Sequence, residues 1–277
     1  MVVRFGAVLL MILRSCVFTA YGEDASSSHQ YEEIQVLAKK FCDTFRPDIA
    51  FTNPVIKLDS TDAIVTFPID NGRQAILTVD LKKNEVASFS AFKGFSHKQY
   101  PPGATNSFDL EKQGEELIQK LGIHTNEFKR AYASRFKLSQ SSRQEMSKYV
   151  WQRLQNGFPF KGDFVTLTFD ARDGEVLGFK KDWGASPDSF NIKVDLNRAK
   201  AIVEKFISKN NAKVQFRSAN VVIVSPNDFM KIAQTNSAVR RLAWSIELPR
   251  QPEVGDPIEL WVDTENGRLL GGSPLNQ

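Results

Sequence analysis

Two rhythms of apolar residues alternate along this chain. Ile34, Leu37, Ala38, Phe41, Cys42 and Phe45 recur at spacings of three and four, the signature of one buried face of an α-helix. The same spacing returns at Leu110, Gly114, Leu117, Ile118 and Leu121, and again at Leu196, Ala199, Val203, Phe206 and Ile207. The second and third predicted helices open with Asp-Leu, at Asp109-Leu110 and Asp195-Leu196, where a carboxylate accepts from first-turn amides that have no partner within the helix. After each helical stretch the period falls to two. Ala75, Leu77 and Val79 alternate with Ile76, Thr78 and Asp80; Val165, Leu167 and Phe169 with Thr166, Thr168 and Asp170; Ile258, Leu260 and Val262 with Glu259, Trp261 and Asp263. These are strands with one face toward a helix. Further strands are expected at 54–58, 63–68, 132–138, 149–154, 214–224 and 241–248.

The strands end on turns that share a plan. Asp170 and Asp263 close a strand, and Gly174 and Gly267 stand four residues later, where a left-handed residue reverses the chain into Val176-Leu-Gly-Phe179 or Leu269-Leu-Gly271; Asn84 fills the same place after Asp80. A shift of 93 residues superimposes 151–178 on 244–271 without a gap, matching Trp151 with Trp244, Pro159 with Pro252, Gly162 with Gly255, Asp163 with Asp256, Leu167 with Leu260, Asp170 with Asp263, Gly174 with Gly267, Leu177 with Leu270 and Gly178 with Gly271. These nine identities exceed the roughly two that average residue usage gives by chance, so the pattern predicts repeated units. The resulting expectation is an α+β protein of tandem repeats, each a helix packed on a small antiparallel β-sheet. The units span 30–92, 108–183 and 195–273, with the first a divergent copy. Turn-forming linkers fall at His97 to Asn106 and Gly184 to Ser189, and 23–30 reads as a mobile leader.

The N-terminus changes the setting. Arg4, the apolar run from Phe5 to Leu13 and the small residues Ala20 and Gly22 around Tyr21 have the layout of a secretory signal peptide over 1–22, cleaved near Gly22. The expected location is therefore outside the cytoplasm, in the periplasm or the medium, with no transmembrane segment in the mature chain. Cleavage removes Arg4, Arg14 and Cys16. The formal charge falls from +4 to +2, too little for a nucleic-acid footprint, and Cys42 is left without a disulfide partner.

Asn156-Gly-Phe-Pro-Phe-Lys-Gly-Asp163, Phe164-Val-Thr-Leu-Thr-Phe-Asp170, Asp173-Gly-Glu-Val-Leu-Gly-Phe179 and Trp183 resemble the YcdB/YcdC-type repeated domain of the PepSY superfamily. Leu242-Ala-Trp244, Gly255-Asp256, Val262-Asp263 and Asn266-Gly-Arg-Leu-Leu270 carry the likeness into the third unit, so that it covers about 109–272. The resemblance implies an exported module that binds or restrains peptidases, or that serves in envelope assembly. It supplies no catalytic residues.

The candidate chemistry agrees with that expectation. The turn aspartates Asp80, Asp170 and Asp263 are read as acceptors for their own turns' amides. His29, His97 and His124 have no metal spacing, and Cys42 lies on an apolar helix stripe, where a buried thiol is inert. No cofactor, metal or catalytic residue is expected, and the protein is read as not an enzyme. Trp151 and Trp244 are expected to anchor local cores. Trp261 falls in the opposite strand phase, facing away from its helix, where it packs on a neighbour or anchors a partner. Two contact surfaces follow for a protein partner, a secreted or envelope peptidase: a sheet face around Thr166, Thr168, Glu259 and Trp261, and an unpaired sheet edge. The alternative is a structural or regulatory envelope component with no peptidase target.

Overall fold

A computed structural model describes residues 25–69, 73–91, 109–137, 145–208, 214–232, 239–250 and 255–275. The signal peptide, His97 and the 97–106 linker lie outside them. All three helices form where apolar spacing predicts: α1 at Ala25–Phe45, α2 at Leu110–Lys120 and α3 at Leu196–Ile207. The aspartate caps are in place, Asp109 accepting from the Lys112 amide at 3.1 Å and Asp195 from the Arg198 amide at 2.8 Å. Helix α1 begins at Ala25, so most of the segment expected as a mobile leader is helical. Phe206, expected on the buried face of α3, is exposed; Ala199, Val203 and Ile207 form that face.

Four strands follow each helix. They are β1 Val55–Leu58, β2 Asp62–Pro68, β3 Gln74–Asp80 and β4 Glu85–Ser90, then β5 Phe128–Lys137, β6 Glu145–Gln155, β7 Phe158–Asp170 and β8 Val176–Asp182. The last set is β9 Ser218–Val224, β10 Arg241–Leu248, β11 Ile258–Asp263 and β12 Leu269–Pro274. The expected turn conformations hold, with positive φ at Asn84, Gly174 and Gly267. Asp80, Asp170 and Asp263 each accept from amides two or three residues on, as turn acceptors should.

The fold class expected from the sequence does not hold. The strands join edge to edge into one mixed sheet of 12 strands rather than making separate small sheets with a helix each. Eight antiparallel strands run in the order β1-β2-β3-β4-β8-β7-β6-β5. The seam between β4 and β8 pairs Ser88 with Lys180, Phe89 with Phe179 and Ser90 with Gly178. Both α1 and α2 pack on one face of this sheet in a single continuous core. Over the seam, Phe41 and Phe45 stack at 4.3 Å, and Phe179 meets both rings, at 5.2 and 5.5 Å.

Trp151 is fully buried in that core and explains the glycine in α2. A Cβ on Gly114 would lie 2.3 Å from the indole, so the helix gives up the roughly 1 kcal/mol by which alanine is the better helix former to seat the largest side chain beneath it.

The remaining meander, β9-β10-β11-β12, packs Val194, Val203, Ile246, Leu260 and Val262 around α3. Trp244 lies against this core, its indole N–H donating to the Val194 carbonyl at 2.7 Å. Strand β7 connects the two regions. Its C-terminal half carries β8, while Phe160 in its N-terminal half pairs in parallel with Ile223 of β9. Arg153 and Arg240 close the junction by converging on fully buried Asp163, which also accepts from the Gly184 amide at 3.0 Å. Arg240, just ahead of β10, is therefore largely enclosed.

Candidate functional site

The four residues expected to form a contact face do not come together on an exposed surface. Thr166 and Thr168 point away from the helices, opposite Val150 and Lys148 of β6, and Thr168 is 9% exposed. Glu259 and Trp261 lie in the other meander, on β11, every residue of which is buried. Trp261 does face away from α3, as strand phase predicts, but it sits among Val222, Val224, Ala243 and Leu270 at 7% exposure. A side chain so enclosed presents little area to a partner.

The Glu259 carboxylate is committed within the fold. It accepts from Lys161 Nζ at 2.8 Å, Ser245 Oγ at 2.6 Å and Ser273 Oγ at 2.8 Å. Burial pushes its pKa up, but these donors and the lysine charge outweigh burial and hold it below the usual glutamate value. The Cys42 thiol is buried on α1, and desolvation, with Asp43 nearby, pushes its pKa up to about 12, so at neutral pH it is a thiol and a poor nucleophile. Among the described residues no group of three or more His, Cys, Asp or Glu is placed to hold a metal. An open cavity of about 250 Å³ between the end of α1, α2 and the β7–β8 turn includes Arg46, Asp48, Gln113 and Glu175. Within it, buried Arg46 bonds both Asp48 and Glu175.

The surface left with unmet capacity is an edge of the sheet. Of the terminal strands, β1 has four residues. The free side of β12 is bonded by Asn227, which donates to the Gly272 carbonyl at 2.8 Å and accepts from the Gly272 amide at 3.1 Å. Strand β5 is different. It has ten residues, pairs among the described residues only with β6, and is exposed at every position after Phe128. At about 3.3 Å per residue its free side is on the order of 30 Å long, with backbone groups available for a further strand.

The chemistry of β5 is equally distinct. Phe128-Lys-Arg-Ala-Tyr-Ala-Ser-Arg-Phe-Lys137 holds four cations and no acid. A bulge between Arg130 and Tyr132 resets its phase. Beyond it, Tyr132, Ser134 and Phe136 lie opposite Val150, Lys148 and Met146 on the helix-free face, while Ala133, Arg135 and Lys137 lie opposite Tyr149, Ser147 and Glu145. Tyr132 and Phe136 are 50% and 38% exposed, and Lys148 Nζ lies 6.0 Å from the Tyr132 ring centroid. Arg130 is paired with Glu111 of α2. The sequence signal was present as an acid-free run with two aromatics, Tyr132 and Phe136, four residues apart, but it reads as an ordinary strand until the topology makes it an edge.

No family model matches the chain, and no curated protein matches it. Among solved structures it is similar to the Bacillus megaterium YpeB C-terminal domain, with a TM-score of 0.50 and 11% identity over 87% of this chain and 97% of that one. At that identity the likeness speaks for the fold alone.

Proposed function

We propose that this chain is an exported, non-catalytic protein-binding module, a divergent member of the YcdB/YcdC-type PepSY group, that restrains a secreted or envelope peptidase by holding part of it against the β5 edge. The observation that carries this reading is the ten-residue edge strand, basic and aromatic, exposed on both faces. Main-chain hydrogen bonds along such an edge supply affinity, and its alternating side chains supply selectivity. Among the described residues no helix is long and apolar enough to cross a membrane. The signal-like N-terminus and the fold likeness support export and a binding role.

The test adds purified residues 23–277 to the casein-degrading activity of the producing cells' culture fluid and periplasmic extract. Restraint predicts a rate that falls with added protein and levels off at stoichiometric excess. An unchanged rate across that range would overturn the peptidase reading, and sedimentation of the protein with envelope fragments would then favour the structural alternative.

A further inference from the structure

We infer that the β5 edge captures an extended acidic segment by strand addition, the segment alternating apolar and acidic residues. The inference rests on the protein-binding reading above and supplies its partner chemistry.

The backbone and the two faces of β5 each restrict the occupant. A strand laid along the free side continues the pleat of β5, so its side chains fall alternately on the two faces. On the helix-free face they meet Tyr132 and Phe136, whose half-exposed rings favour apolar neighbours. On the other face they meet Arg135 and Lys137. Among the described residues Arg135 forms no ion pair, and Glu145, opposite Lys137, forms none with it. Acidic residues at alternate positions therefore match both the phase and the charge of this face, as opposite charges on neighbouring strands stabilise pairing.

A second copy of this chain is a poorer occupant. Antiparallel pairing of β5 with itself sets Lys129 opposite Lys137 or Arg130 opposite Arg135, according to register, and like charges across strands oppose pairing. Basic residues on an edge also serve simply to prevent aggregation. That role accounts for the charge but not for two large aromatics left half-exposed on the same strand, which a purely protective edge would omit.

The test uses fluorescein-labelled peptides of alternating valine and glutamate, read by fluorescence polarisation against residues 23–277. The expected result is saturable binding that weakens with salt and is at least about tenfold weaker for the valine–lysine counterpart. Strand addition is separated from simple charge attraction by two peptides N-methylated at alternate amides. Only one set of amides can face β5, so one peptide should lose binding while the other keeps it. The exposed double variant Arg135→Glu/Lys137→Glu should reverse the preference from glutamate to lysine. Equal binding of both methylated peptides would overturn strand addition, and equal binding of the glutamate and lysine peptides would overturn the acidic partner. If the double variant still slowed the peptidase as well as the parent, the protein-binding reading would stand and this inference would fall. Peptide capture without any effect on peptidase rate would uphold the inference and remove the peptidase as its target.

Discussion

At the scale of single residues, position in the fold rather than residue type decides what a group does. Asp163 and Asp256 occupy equivalent places in the internal sequence match, yet the first is fully buried between two arginines and the second is 77% exposed beside Arg250. Glu259 was singled out as a surface contact because strand phase put it on the face away from α3. Phase identifies the face, but not that Lys161 of another unit reaches across to that carboxylate. Its lowered pKa gives a signed prediction. A carboxylate whose folded pKa lies below its unfolded value of about 4.5 contributes stability above that pH and loses it as pH falls through the folded value. Glu259→Gln should therefore destabilise the protein at pH 7, with the difference from the parent shrinking steadily below about pH 4.5. Urea unfolding of both proteins between pH 7 and pH 3 measures this, and a constant difference would show that the ionised form is not what stabilises the site.

At the scale of elements, helices and strands were legible because each has its own period, and the caps and turn residues were legible because they act locally. Asp109, Asp195, Gly174 and Gly267 all perform the expected backbone tasks. Boundaries shifted where local pattern is weak. Strand β6 begins at Glu145 rather than 149, and β9 begins at Ser218 although Val214 is buried. The joining of elements was not legible at all. The seam between β4 and β8 is backbone pairing, which leaves no periodic mark, and the pattern puts Phe41 and Phe45 on the first helix's apolar face and Phe179 in the second unit without bringing them together. In the fold they form one aromatic group across the seam, with Phe41 and Phe89 5.5 Å apart. Phe41→Ala should thus cost about 3–5 kcal/mol, as large-to-small changes at buried phenylalanines do, and should expose amides of both β4 and β8 to exchange. Hydrogen exchange confined to β1–β4 would indicate that the helix serves only its own meander.

At the scale of the whole molecule, the internal repetition led to an expectation of separate units, whereas the fold distributes the same strands over one sheet with two main helix-covered cores. Among the described residues the two regions meet at the Phe160–Ile223 pairing, the small apolar group of Phe160, Ile223 and Leu242, the Asp163 cluster and the Lys161–Glu259 ion pair. Arg153 stacks 4.2 Å from the Phe160 ring centroid and also donates to the Gly184 carbonyl at 2.8 Å, so one carboxylate holds in place cations that reach both sides of the junction. Removing it leaves two largely enclosed arginines without their counter-ion, a change that costs about 3–5 kcal/mol when a buried pair is broken from one side. Because each region keeps its own core, that loss should fall on their coupling. Asp163→Ala should split a single thermal transition into two, with β9–β12 losing exchange protection first because its core is the smaller. A single transition displaced to lower temperature would mean instead that the sheet itself, continuous through β7, is enough to make the molecule unfold as one.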